Sequence, residues 1–193
     1  DDEKSRLSEI NARIATLTTK FEKNLLADTN DLALLVEDPT ELDGLEPGEI
    51  SAAAQAAADR GLDGYLVTLV LPTGHPWLAS LTHRGLRERI MAASRARSSR
   101  GGEFDNRAVL LEIVRLRAER AELLGFDSHA ACVTADETAK TPHAVAAMLE
   151  KLAPAAARNV LHEQADLEQM NPAGETITAH DWAFYTERVR RAT

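Results

Sequence analysis

The run His162-Glu163-Gln164-Ala165-Asp166 is the nearest approach of this sequence to a metal-binding motif. A helical zinc site of the HExxH type needs His at i and i+4, one turn apart on one face. The Glu between them then polarises a metal-bound water. Here the fifth residue is Asp166, and acidic residues stand on every side. The stretch reads as a two-ligand half-site or, in preference, as a solvated helix face. The six histidines, at 75, 83, 129, 143, 162 and 180, are scattered, and no two lie three or four residues apart. His180 beside Asp181 could serve catalysis, form a buried polar pair, or cap a helix.

A second candidate is the basic stretch Arg84, Arg87, Arg89, Arg95, Arg97 and Arg100, opposed by Glu88 alone. At about 100° per residue, Arg84, Arg87 and Arg95 flank one side of an apolar stripe, and Arg89 and Arg100 the other. A phosphate-reading helix would gather them on one side. Internal ion pairing is therefore preferred over polyanion binding. Cys132 sits in an apolar AACV context, where a buried thiol is inert. Trp77, Trp182 and Tyr185 read as core anchors. No GxSxG, GxxxxGK or GxGxxG string occurs. On chemistry alone no residue receives a catalytic, cofactor-binding or metal-binding role.

The elements that must position these residues are mostly helical. Of 193 residues 44% are hydrophobic, but 33 are alanine and aromatics make up only 4%, an inventory suited to closely packed helices. With 22 basic against 31 acidic residues, the net charge of −9 argues against a general nucleic-acid binder. One cysteine excludes an intrachain disulfide and a cysteine metal cage, and fits a reducing compartment. No apolar run approaches the roughly 20 residues of a membrane span, and no leader is visible. The expectation is a cytoplasmic chain. The acidic start without Met, and a last helix without a stop signal, lead us to expect a piece of something longer.

Leu7, Ile10, Ile14, Leu17, Phe21 and Leu25 predict one amphipathic helix over about 3–27. Apolar runs at about 32–37 and 65–71, the first ended by Asp38-Pro39 and the second by Pro72-Thr73-Gly74, predict two strands pairing as a ribbon that must lie on helices. Helices are predicted over about 48–60, from His83 to Ser98, and from an Asn106 cap to about Leu124 with Gly125 as stop. Ser128-His129 opens a short helical piece. Thr141-Pro142 starts a helix reaching Met170, with a kink or a junction of two helices at Pro154. Asn171-Pro172-Ala173-Gly174 breaks the chain, and a final helix runs from about His180 to the last residue. The fold class is mainly α, with long amphipathic helices and a minor two-stranded ribbon, in one segment over 1–193.

Three stretches carry a resemblance. The run from Gly64 to Ala131, including Leu86-Arg87-Glu88, Phe104-Asp105-Asn106 and LRAERAELLGF, resembles an upstream segment of the thimet oligopeptidase family of zinc metallopeptidases. The similarity is strongest to its bacterial peptidyl-dipeptidases. Asn24 to Val36 and the closing HDWAFYTERVRR resemble the same family in the same order. The resemblance implies a larger helical zinc-peptidase fold that encloses zinc in a deep channel and removes dipeptides from the C-termini of short peptides. The family's HExxH helix, its further zinc-binding Glu, and its Tyr and His residues lie downstream of the matched region. His162-Glu163 does not align with that motif.

No metal ligand, base or oxyanion residue is therefore carried over. The expected role is scaffold and channel wall, with zinc in the full-length parent and none bound to this chain. Its partners would be the remaining catalytic half of the same polypeptide and short peptide substrates, not nucleic acid or membrane. The isolated chain is expected to be inactive and prone to artificial self-association. The alternative is an autonomous helical scaffold or protein-interaction module without enzymatic activity. A polyanion-binding helical protein ranks third.

Overall fold

The computed structural model describes residues 2–71, 73–171 and 174–192. Pro72, Pro172 and Ala173, used above as strand and helix breakers, and the last residue, Thr193, lie outside them. In chain order the elements are α1 (Asp2–Asp31), β1 (Leu34–Val36), α2 (Pro47–Ala58), β2 (Tyr65–Val67), α3 (Arg84–Ala96), α4 (Arg107–Leu123), α5 (His129–Thr134), α6 (Pro142–Gln169) and α7 (Ala179–Ala192). Short 3-10 turns cover Pro39–Leu42 and His75–Ala79. The chain is mainly α with one two-stranded antiparallel sheet among the described residues. It divides into two compact units, residues 1–25 with 101–160 and residues 26–100 with 161–193.

In the unit of residues 26–100 and 161–193, β1 and β2 pair antiparallel, Leu34 opposite Val67 and Val36 opposite Tyr65. The ribbon is shorter than its apolar runs. On the first side, Leu32 N–H still donates to Asp28 C=O, so helical bonding persists past the predicted end of α1. On the second, the Thr73 N–H and hydroxyl both turn back to Val70 C=O, which folds the chain away from the ladder after Val67. Val36, Val67, Leu81, Leu86 and Ile90 are fully buried in one cluster with Ala53 of α2, Trp77 and Leu78, and β2 packs chiefly against α2. Burying each such side chain is worth about 1.5–3 kcal/mol. Gly44 sits at φ +99, and a Cβ there would stand 2.1 Å from Ser80 C=O, so only glycine lets the two loops approach.

In the unit of residues 1–25 and 101–160, the buried cluster is small: Leu17, Val109 and Ile113, with Phe21 and Leu116 packed against it. Asn106 is buried, but it does not cap α4 with its side chain. Its amide instead bridges α1 and α4, accepting from Asn24 Nδ2 and donating to Phe21 C=O, both at 2.9 Å. The capping falls to Asp105, whose carboxylate accepts from the Arg107 N–H at 2.9 Å. Ser128 and Thr141 cap α5 and α6 as the sequence predicts, each hydroxyl accepting from a backbone N–H three residues on, at 3.1 Å. Pro154 does not divide α6, which is one helix over Pro142–Gln169.

Candidate functional site

The strongest concentration of buried charge lies in the unit of residues 26–100 and 161–193, where α7 begins against α3. Asp181, 1% exposed, accepts from Arg84 Nη2 and Arg87 Nη2, each at 2.8 Å. It also accepts from the Thr178 N–H at 3.2 Å and the Thr178 hydroxyl at 3.0 Å. Thr178 precedes α7 and Asp181 is its third residue, so the carboxylate closes the first turn as a capping-box acid does. Of the sequence readings of His180-Asp181, the buried pair and the helix cap both apply, centred on Asp181. His180 touches Thr178 Oγ1 at 3.0 Å and supplies its carbonyl to Arg87 Nε at 3.3 Å.

Arg87 is almost wholly enclosed. Its Nη1 donates to Leu81 C=O at 2.9 Å and Thr82 C=O at 3.1 Å, and its plane lies 4.1 Å from the Phe184 ring centroid. Burial works against the charge on Asp181, yet the hydrogen bonds from Arg84, Arg87 and Thr178 outweigh it and hold the carboxyl well below the usual carboxylate range. A carboxylate so paired is a poor general base.

Three of the other four arginines of the basic stretch are also engaged, while Arg95 is exposed. Arg89 Nη1 meets Glu41 at 2.8 Å, Arg97 donates to Ser94 C=O and Oγ, and Arg100 bridges Asp28 and Asp31. Asp28, buried, accepts in addition from the Ser98 N–H at 2.5 Å. The internal ion-pairing reading therefore describes Arg84, Arg87, Arg89 and Arg100.

Among the clefts that flank α7, one of about 460 Å³ is lined by Gly44, Ser80, Thr82, Phe184, Arg188 and Arg191. Another, of about 450 Å³, is lined by His75, Leu78, Met91, Trp182, Ala183 and Thr186. His75 Nε2 and Ser94 Oγ share a 2.6 Å hydrogen bond, a pair that sequence reasoning missed. Gly74-His75-Pro76, with proline in a first turn, was the signal for the 3-10 turn that carries this histidine. Ser94 is buried within α3 and also accepts from Arg97, so the pair is a tie and not an accessible nucleophile.

His162 and Asp166 are both exposed on α6. Among the described residues no three His, Cys, Asp or Glu side chains come together to hold a metal, so these residues assemble no zinc site. Cys132 is half-buried, not enclosed as its apolar context led us to expect. Trp77 is a core anchor, whereas Trp182 is half-buried on a cleft wall and Tyr185 donates to Asn171 Oδ1 at 3.2 Å. No described helix is long and apolar enough to cross a membrane.

The sequence profile described as Peptidase family M3 matches residues 77–193, the stretch that holds α3 and the whole Arg84–Arg87–Asp181 cluster. The chain belongs to peptidase family M3. Relatives within reach of this M3 chain include a dipeptidyl carboxypeptidase of Salmonella typhimurium, 39% identical over 99% of this chain, and one of Escherichia coli, 37% identical over 98%. Oligopeptidase A of Haemophilus influenzae is 36% identical over 79%. The chain spans 29%, 28% and 23% of the lengths of these three proteins, respectively. The thimet oligopeptidase resemblance drawn from the motif string holds.

Proposed function

We propose that this M3 chain is a non-catalytic scaffold and channel-wall segment of a zinc metallopeptidase that hydrolyses short peptides and releases dipeptides from their C-termini. The observation that carries the reading is the 39% identity to a dipeptidyl carboxypeptidase along 99% of the chain. The oligopeptidase A relatives match at 36% identity or below, which favours dipeptide release as the activity of the parent. Zinc belongs to the parent and is held by residues outside this chain. The remaining catalytic half of the same polypeptide is the partner, and the compartment is the cytoplasm.

Within this reading the chain works mechanically. The Arg84–Arg87–Asp181 cluster locks the first turn of α7 to α3, and Arg87 stacks on Phe184, a wall of the cleft of about 460 Å³. Support for a structural role comes from the pairing of Asp181 and Asp28, the buried carboxylates among the described residues, with arginines. The test is product analysis by mass spectrometry on an unblocked octapeptide. The complete gene product should release successive C-terminal dipeptides, and this chain alone should release none. Turnover by the isolated chain, or cleavage by the complete product at internal bonds only, would overturn the proposal.

A further inference from the structure

Helix α6 is an anomaly for a helix of globular protein. Every residue from 146 to 163 is exposed, yet the sequence there is not polar. At about 100° per residue, Val145, Met148, Leu149, Leu152, Ala156 and Val160 fall on one face. Met148, Leu149, Leu152 and Val160 are 53%, 54%, 58% and 47% exposed. The opposite side carries Glu150, Lys151 and Arg158 among alanines. An amphipathic helix owes most of its stability to packing of its apolar face, and Pro154 removes one of the ladder bonds that would otherwise help it. The same unit shows a second uncovered face on α4, where Leu110, Leu111 and Val114 are 49%, 57% and 53% exposed. Among the described residues its buried hydrophobic side chains are few: Ile10, Leu17, Val109, Ile113 and Ala121. At about 1.5–3 kcal/mol for each of the larger ones, these few side chains offset little of the roughly 1–2 kcal/mol per residue that ordering the backbone costs.

We propose that the α6 face from Val145 to Val160 is the seat of a helix from the remaining part of the same polypeptide. This rests on the reading of the chain as a segment of a longer M3 peptidase. Size decides between that occupant and a second copy. The face is about 25 Å long at 1.5 Å per residue and about 10 Å across, the width of one helix. It thus offers on the order of 250 Å² per side, where a stable association of separate chains needs about 800 Å² per partner. A covalently connected helix escapes the 4–15 kcal/mol or so lost in bringing free molecules together. The matched relatives have the chain to provide it, since this sequence spans 29% of the first of them.

The test is site-specific photocrosslinking in the complete gene product, with p-benzoylphenylalanine replacing Leu152 in one preparation and Glu150, on the opposite side, in another. The expected result is an intramolecular crosslink from position 152 to a helix outside residues 1–193, lost when the probe moves to 150. A crosslink to a second copy, a crosslink within residues 1–193, or none from 152 would overturn the assignment of the face. Dipeptide release and intact mass, measured on the same unmodified product, keep the two readings apart. A product larger than this chain that releases dipeptides but fails the crosslink sinks the α6 proposal alone. A product no larger than this chain sinks both.

Discussion

Replacing Asp181 with Asn keeps the shape of the side chain and removes its charge, and the structure dictates who suffers. Arg84 is 39% exposed and can turn to water, whereas Arg87 is 2% exposed and cannot. Removing one partner of a buried ion pair costs about 3–5 kcal/mol because the other charge stays enclosed. With a urea dependence of roughly 2 kcal/mol per M, the unfolding midpoint should fall by about 1.5–2.5 M. Both tryptophans, Trp77 and Trp182, belong to the unit of residues 26–100 and 161–193, so intrinsic fluorescence reports this unit specifically.

The companion variant Arg87→Met leaves Asp181 with Arg84 and Thr178 and should cost less. The double variant Arg87→Met/Asp181→Asn should be more stable than Asp181→Asn alone, since no buried cation then remains. The pH dependence has a fixed sign. The folded carboxyl of Asp181 lies below its unfolded value of about 3.9. Its stabilisation is therefore complete above that value and is lost only as the pH falls further. Asp181→Asn should flatten the acid side of the midpoint curve. A midpoint shift within experimental scatter, or a double variant as unstable as the sum of the singles, would refute the reasoning.

Three further outcomes are expected. Glu187, held by Arg190 at 2.6 Å and Arg191 at 2.8 Å, should titrate at about 2 by carboxyl NMR, and a midpoint in the ordinary range near 4.3 would show those pairs to be loose. Gly44→Ala forces a side chain onto Ser80 C=O at a positive φ and should lower the fluorescence-detected midpoint by an amount matching about 1–3 kcal/mol. An unchanged midpoint would contradict the close approach. Asn106→Ala leaves Phe21 C=O without the donor it has now and should speed amide exchange in α1 and the first turn of α4, for a cost of about 1–3 kcal/mol. Exchange unchanged there would mean the bridge is not formed in solution.

Helix existence was legible because spacing and caps agree. The Leu7 to Leu25 stripe, Thr141-Pro142 and Ser128 each mark an element that forms where it was expected. What could not be read were consequences of distant partners. α1 runs past residue 27 because Asp28 and Asp31 meet Arg100, some seventy positions away. Asn106 has the residue type of a cap, yet a neighbour on α1 claims its amide and Asp105 takes over the capping. The family was legible from ordered motifs such as Leu86-Arg87-Glu88 and Asp181-Trp182-Ala183-Phe184-Tyr185. Two of their charged members, Arg87 and Asp181, turn out to be the halves of one buried pair. His75 and Ser94, nineteen residues apart on different elements, gave no periodic signal of their contact.

The central claim is that this chain supports an M3 peptidase without holding its metal. Zinc stoichiometry by inductively coupled plasma mass spectrometry tests it most directly, with dialysed samples of this chain and of the complete gene product measured side by side. The account predicts one zinc per molecule of the complete product and a background level in this chain. Stoichiometric zinc in this chain, or none in a complete product that hydrolyses peptides, would contradict it.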